Sequence, residues 1–517
     1  MDITLIQAPC WGIYAPPLAL ASLSAFLRSK GLSVAVMDLN IDMFYRCKEE
    51  YRRFWDEAEH EFWRNEALVE KFYQDNKELI DDYLKKVGSQ NSRVVGFSVY
   101  DTSLHLSLLL AKKIKEFNPE MIVVFGGPHC SRFMCKDFIV SHECVDVLIE
   151  GEGEETLFDV INMLIREGKL EYCPGAVIRK AGKLVDGAIR PLIGNLDTLP
   201  FPDFSDFPVG SYKRNDVLPV STGRGCINRC VFCNEWLFWR RFRFKTGNYI
   251  FQEIKSQLSK YPYIKNIEFY DSLVNGNLGE ISILCDLLIQ DRLKIRWSGQ
   301  AVIRPDMDYK SLLKFKKSGC GCLAYGLESG SQNVLDTARK GFRVADAQMV
   351  VRQTYEAGID VVLNFMFGLP GEREDDFRET LEFISRNKKY ITIVNPSPSF
   401  CGIARGTYMY DHPTEFDISL PIDNGLFWKT NDDSNNYLIR LKRFEEFCKF
   451  VRSVGVKSTY PAVELINKNK IVGDYYLYNR NYAEALKYYQ ISAREEGLDS
   501  KTKRLMDDCQ MQLTKNS

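Results

Sequence analysis

Cys226, Cys230 and Cys233 stand in "GRGCINRCVFCNE", a C-x3-C-x2-C run over residues 223–235. Three thiolates in one loop make a soft-ligand cluster suited to zinc, copper or iron–sulfur. A structural zinc site closes with four ligands, and a 4Fe–4S cluster ordinarily takes four cysteines. No further cysteine follows until Cys285, and the nearest upstream histidine is His142. The triplet therefore suggests a cubane with one iron left open to a substrate or cosubstrate. Phe232, beside the third cysteine, is placed to pack over an adenine. Two other readings stay open on these residues: a zinc site completed by a distant side chain, and three unrelated thiols.

The elements that must hold this loop follow from the surrounding pattern. Six strand-like runs recur with helical stretches between them: 217–222, 266–271, 294–300, 322–328, 360–368 and 391–398. Six β/α repeats are too few for the eight of a closed barrel, so a partial, open barrel over 213–424 is expected. Chemistry in such barrels gathers at the carboxyl ends of the strands. The cysteine loop directly follows the first strand, and Asp271, Gln300 and Glu328 end later ones.

Upstream, residues 1–170 alternate strands and helices, which predicts a Rossmann-like parallel sheet covered on both faces. Ligands of such sheets sit outside the strands' carboxyl ends. Those ends carry Pro16, Asp38, Asn40, Tyr100, Thr102, Gly126, Gly127 and the glycine–glutamate turn over 151–154, with Gly151 and Gly153. A charged, aromatic stretch over 44–87 reads as helical, with its tryptophans and phenylalanines facing a core. Residues 171–212 read as a linker with one hairpin and a Pro-rich run. Residues 425–517 read as helical. "GDYYLYNRNYAEALKYYQISAREEGL" fits one tetratricopeptide-like unit through Gly473, Tyr476, Ala485 and Tyr489, and this unit is expected to pack on the preceding helices.

The 517 residues are 45 % hydrophobic and 26 % charged, with formal net charge −1. This is a globular composition without the basic footprint of a nucleic-acid binder. No apolar run is long enough for a membrane span, and the N-terminus lacks the basic start of a signal peptide. The 15 cysteines are thus expected to be reduced thiols and metal ligands in a cytoplasm.

The cysteine triplet with Phe232 resembles the signature of the radical S-adenosylmethionine (SAM) enzymes. "YGLESGS" (325–331), "FMFGLPGE" (365–372), "FYDS" (269–272) and "GQAVIRPD" (299–306) are similar to strand ends of that family. The resemblance implies that Cys226, Cys230 and Cys233 hold a 4Fe–4S cluster whose open iron chelates SAM. It implies cosubstrate or substrate contacts from Glu328, Ser329, Asp271, Gln300 and Arg304, and backbone shape near the adenine from the Gly-Leu-Pro-Gly turn. It further implies a reductant such as flavodoxin or ferredoxin.

The N-terminal segment resembles the cobalamin-binding domain that precedes the radical domain in one large subgroup. "PPLALASLSAFLRSKG", "VVGFSVYDT", "VVFGGPH" and "DVLIEGEGEETL" carry that likeness, which adds Ser98 and Glu150 to the candidate ligand contacts. Where many cobalamin proteins have Asp-x-His-x-x-Gly, this chain reads "DLNIDM", with Asn40 in the histidine's place. No histidine ligand to cobalt is expected from this loop, and His105 and His129 remain nearby alternatives. The combined resemblance implies a cobalamin-dependent C-methyltransferase. A 5′-deoxyadenosyl radical would open a C–H bond of a small-molecule, lipid or peptide substrate, which then collects methyl from methylcobalamin. Ring formation or rearrangement without methyl transfer, and a zinc-stabilised binding protein, are the alternatives.

Overall fold

A computed structural model describes residues 1–130, 141–495 and 500–515. Strands β1 (Ile3–Gln7), β2 (Val34–Asp38), β3 (Val94–Ser98), β4 (Ile122–Gly126) and β5 (Val147–Ile149) are short apolar runs, with helices in the first three connections. β6 (Ala176–Lys180) and β7 (Lys183–Asp186) follow. The seven form one sheet in the order β2-β1-β3-β4-β5-β6-β7. The first five pair in parallel, in registers such as Ile3 with Val34 and with Val94. β6 and β7 add on antiparallel, so the hairpin read as part of a linker is the edge of this sheet. Strand order reverses between β1 and β3: the chain steps from β1 out to β2 and then returns past β1 to β3. The crevice at that switch point is where such sheets take ligands.

The aromatic stretch after β2 is broken into short pieces. They are the helix Leu39–Arg46, two 3-10 turns over Glu49–Trp55 and Glu57–Phe62, and the helices Glu66–Asp75 and Lys77–Ser89. Trp55, Trp63 and Phe72 are buried and meet edge-on. These rings pack on one another in the interior, as expected of core-facing aromatics.

Next come β8 (Val217–Val220), β9 (Gly223–Arg224), β10 (Arg243–Phe244), β11 (Asn266–Phe269) and β12 (Arg296–Ala301). They are followed by β13 (Cys320–Glu328), β14 (Asp360–Phe365), β15 (Ile393–Pro396) and β16 (Lys457–Ser458). The second seven-stranded sheet has the order β16-β15-β14-β13-β12-β11-β8. β8 with β11, and β13 through β16, pair in parallel. The six expected barrel strands are all present, and β16 is an addition. β9 and β10 make a separate antiparallel ribbon.

Two compact units result: Met1–Gly225 with Phe238–Trp297, and Cys226–Leu237 with Ser298–Ser517. In the second, alternate residues of β13 and β14 (Leu323, Tyr325 and Leu327; Val361, Leu363 and Phe365) are buried, as period-two burial requires. The "FGLPGE" turn receives the helix Tyr437–Ser453. Gly368 has φ +76°, and a Cβ there would lie 2.1 Å from Arg440 Cδ. Glu372 accepts from the Gly368 N–H at 2.7 Å and pairs with Arg443 at 2.9 Å. This motif docks the helix Tyr437–Ser453 through two buried arginines. At the chain's end the helices Lys468–Tyr478 and Tyr482–Glu495 pack tightly, because Gly473 leaves room for the Tyr489 ring.

Candidate functional site

The cysteine loop needs a stem that turns sharply out of β8. Gly223 and Gly225 provide it, since a Cβ at either would fall within 3 Å of the backbone oxygen of Arg243 or Arg241. The loop itself is pinned by main-chain bonds. Val231 N–H donates to Ala338 O at 3.2 Å and Met409 N–H donates to Val231 O at 3.1 Å. Asn228 Nδ2 donates to Lys340 O at 3.2 Å. Val231 is fully buried among Val334, Ala338, Leu369 and Met409, with Phe232 against the same cluster. This anchor leaves Cys226, Cys230 and Cys233 part-exposed on the intervening turns. Burial raises all three thiol pKa values, that of Cys233 to about 12. A metal must therefore displace the protons.

One cation stands against the thiols. Lys340 is 7 % exposed, pairs with Glu328 at 3.2 Å, and lies 5.8 Å from the Phe232 ring centre. Its charge opposes the upward shift of Cys226 and Cys230. Glu328 has φ +69° and ends β13 at a register shift against β14. Such strain in a non-glycine residue is typical of functional positions. Gly326 makes room for the pair: a Cβ there would come 2.8 Å from Glu328 Oε1 and 3.4 Å from Lys340 Nζ. Sequence reading missed Lys340. Only its twelve-residue spacing from Glu328 across a helix hinted at it.

The other strand-end candidates separate. Gln300 accepts from Asn364 Nδ2 at 3.2 Å, and Asn364 accepts from Asn395 Nδ2 at 3.0 Å. This is a ladder of neutral amides across β12, β14 and β15. Asp271 is buried instead, and its carboxylate accepts from Ser221 Oγ, the N–H and Oγ of Thr222, and Gly223 N–H. It fastens the exit of β8 to β11 and has no oxygen left to face a ligand. Ser329 is fully buried and shares a hydrogen bond with Thr380 at 3.0 Å. Arg304 pairs with Asp306 two residues away.

At the switch point of the first sheet, Trp11 stacks on Tyr100 with ring centres 4.3 Å apart. Thr102 Oγ1 donates to Cys10 O at 2.7 Å. Gly127, φ +113°, must be glycine because a Cβ would lie 2.8 Å from Val99 O. At Gly126 a Cβ would make only ordinary contact, 3.7 Å from Ile149 Cβ, and Ser98 is buried with its carbonyl toward Gln7 Nε2. Pro16 is buried in the loop after β1.

Two expected ligand contacts are committed elsewhere. Asp38 caps Ile41 N–H and accepts from the Tyr212 hydroxyl, and burial pushes its carboxyl up to about 6. Asn40 Oδ1 accepts from Trp11 N–H at 2.9 Å and from Trp55 Nε1 at 2.7 Å. The residue in the histidine's place thus ties the aromatic insertion to the loop after β1. From that insertion His60 reaches Cys10 Sγ at 3.4 Å, a contact with no local sequence signal. His105 meets Arg64 O, and His129 N–H donates to Val99 O.

The turn after β5 holds a dense set of charges. Glu152 and Glu154 both bind Arg224, and Glu152 also binds Arg243 at 2.8 Å. Gly151, φ +71°, lies beneath Arg240, Gly153 opens the helix Gly153–Glu167, and Glu150 N–H donates to Gly175 O.

Three thiols on one pinned loop beside a buried cation form a donor set that an iron–sulfur cluster can use, with each cysteine on a separate iron. Among the described residues no helix is long and apolar enough to cross a membrane.

Comparisons with known proteins follow the same division. The Radical SAM superfamily matches residues 220–384 and the B12 binding domain matches residues 10–161. An uncharacterised methyltransferase of Pyrococcus horikoshii is 27 % identical over 380 residues, 72 % of this chain and 79 % of that protein. The anaerobic magnesium-protoporphyrin IX monomethyl ester cyclase of Cereibacter sphaeroides is 25 % identical over 303 residues. That stretch is 56 % of this chain and 48 % of the cyclase, so the chain matches about half of that protein's length. Among solved structures, the radical SAM methyltransferase TsrM from Kitasatospora setae, with cobalamin and a [4Fe-4S] cluster bound, shares the fold. Its TM-score is 0.66 at 15 % identity, covering 99 % of both chains.

Proposed function

Because the chain belongs to the radical SAM enzymes that carry a B12-binding domain, we propose that it transfers a methyl group to an unactivated carbon of a small molecule. Its cofactors are a 4Fe–4S cluster, SAM and cobalamin. When bound, they supply the electron, the 5′-deoxyadenosyl radical and the methyl group. The observation that carries the reading is the pinned loop of Cys226, Cys230 and Cys233 beside the buried Glu328–Lys340 pair, in a chain that also has the B12-type sheet.

The chain's own residues do the rest. The three cysteines would hold the cluster through one iron each. Lys340 would offer its ammonium to the SAM carboxylate, and Glu328 would accept from the SAM amino group. Gln300 and Asn364 present neutral amides to ribose hydroxyls, and Phe232 packs near the adenine. In the first sheet, Tyr100, Thr102, Gly126 and Gly127 border the corrinoid crevice, with Gly127 permitting close backbone approach. Trp11, on Tyr100, gives that crevice an aromatic wall in place of a histidine. A hydrogen bond to a charged group contributes about 1.5–3 kcal/mol. Lys340→Met is therefore expected to weaken SAM binding about 10- to 100-fold while iron content stays at the wild-type level. Titration of the anaerobic, cluster-loaded protein checks this.

The test of the function is transfer of label. With SAM carrying a labelled methyl group, the product is expected to gain that methyl group, with 5′-deoxyadenosine released. The similarity to a cyclase supports one other reading, ring formation on the same cofactors. It predicts 5′-deoxyadenosine with no label in the product.

A further inference from the structure

We propose that Arg224 is a positioning residue that couples the corrinoid site to the cysteine loop. The proposal rests on the cofactor reading above and goes beyond it. Arg224 ends the stem two residues before Cys226. Its Nη1 meets Glu152 at 2.5 Å, and its Nη2 meets Glu154, both from the turn after β5. Arg243, paired with Arg224 across the β9–β10 ribbon, donates to both oxygens of Glu152 at 2.8 and 2.9 Å. Glu152 also accepts from Ile193 N–H at 2.9 Å. The four side chains are 5–14 % exposed. Arg240, from the same returning segment, lies over Gly151.

Two carboxylates and two guanidiniums thus neutralise one another inside the protein. A buried network of this kind adds little net stability, because desolvation offsets the attraction. What it supplies is geometry, since a guanidinium fork fixes both distance and plane. The turn that carries Glu152 and Glu154 also carries Gly151 and Gly153, at the carboxyl end of β5 where this sheet class takes its ligand. A shift of that turn on corrinoid binding must move the two carboxylates. The guanidinium passes the shift along the backbone to Gly225 and Cys226. Occupation of one cofactor site is thereby registered at the other, and linkage makes the effect mutual.

The experiment measures SAM affinity and the electron paramagnetic resonance signal of the reduced cluster, with and without cobalamin. It uses full-length wild type, Arg224→Lys and Glu154→Gln. Lysine keeps the charge and loses the fork, while glutamine keeps the shape and loses the charge. In wild type, cobalamin is expected to tighten SAM binding about fivefold or more and to alter the cluster signal. The variants are expected to load iron and cobalt normally but to respond less than about twofold. If one variant fails to load, the other decides. Coupling that persists in the loaded variants, or is absent from wild type, overturns the proposal. So does loss of both cofactors from both variants, which would make the network purely structural. A wild type that takes up no cobalamin at all defeats the functional reading instead.

Discussion

Cys230→Ala is expected to remove nearly all iron from the anaerobically reconstituted protein and leave its cobalt in place. Wild type should hold about four irons per chain and about one cobalt. The local fold should survive, because the turn is closed by Cys233 N–H donating to the main-chain oxygen of Cys230 at 3.1 Å. The neighbouring Val231 anchor is also untouched. Production of 5′-deoxyadenosine should fall to the level of a mixture without protein. Metal analysis and product chromatography read both results. Iron retained in the variant would place the cluster elsewhere. Zinc in place of iron in the wild type would end the radical mechanism. Cobalt lost together with iron would show that the two sites do not load independently.

Arg443→Met is expected to cost about 3–5 kcal/mol of stability, the range for removing one partner of a buried ion pair. Arg443 and Glu372 are 4 % and 2 % exposed. The methionine stem fills similar space, so the loss is mainly electrostatic: Glu372 keeps its charge without a counter-ion. Burial already holds the Glu372 carboxyl above its usual range, with Arg443 opposing that shift. Losing Arg443 raises it further. A carboxyl whose folded pKa is raised favours the folded state at low pH, and that advantage is lost as pH rises. The cost should therefore shrink as pH falls toward the ordinary glutamate value near about 4.3. The double variant Glu372→Gln/Arg443→Met should recover much of the loss. Denaturation midpoints of the three proteins across pH measure this. A single variant as stable as wild type at neutral pH would mean that the docking rests on the aromatic packing of Phe367, Phe444 and Phe447 alone.

What could be read along the chain was what the chain encodes locally. The cysteine spacing, the six strand–helix repeats and the glycine-rich strand ends are short-range patterns, and each appears in the structure where the pattern puts it. Glu328 and Gln300 were legible as strand ends, and they stand beside Lys340 and Asn364. Asp271, Ser329, Asp38 and Asn40 were equally legible as strand ends, yet the fold spends their polar atoms internally. What separates them is how many partners neighbouring segments bring: one each to Glu328 and Gln300, and two or more to Asp271, Ser329, Asp38 and Asn40.

The pairings that build the site were decided by tertiary structure. Lys340 meets Glu328 because Gly326 lacks a side chain. Arg440 reaches its place because Gly368 does, and Arg224 is held by two glutamates about seventy residues upstream. A buried charge is tolerated where an opposite charge arrives, as at Arg224 and Arg443, or where neutral oxygens take its protons, as the carbonyls of Leu426 and Trp428 do for Arg440. Which partner arrives depends on how segments far apart in sequence pack together. Local sequence thus marked the candidate cluster ligands and the class of fold, and the packing of distant segments determined which charges surround them.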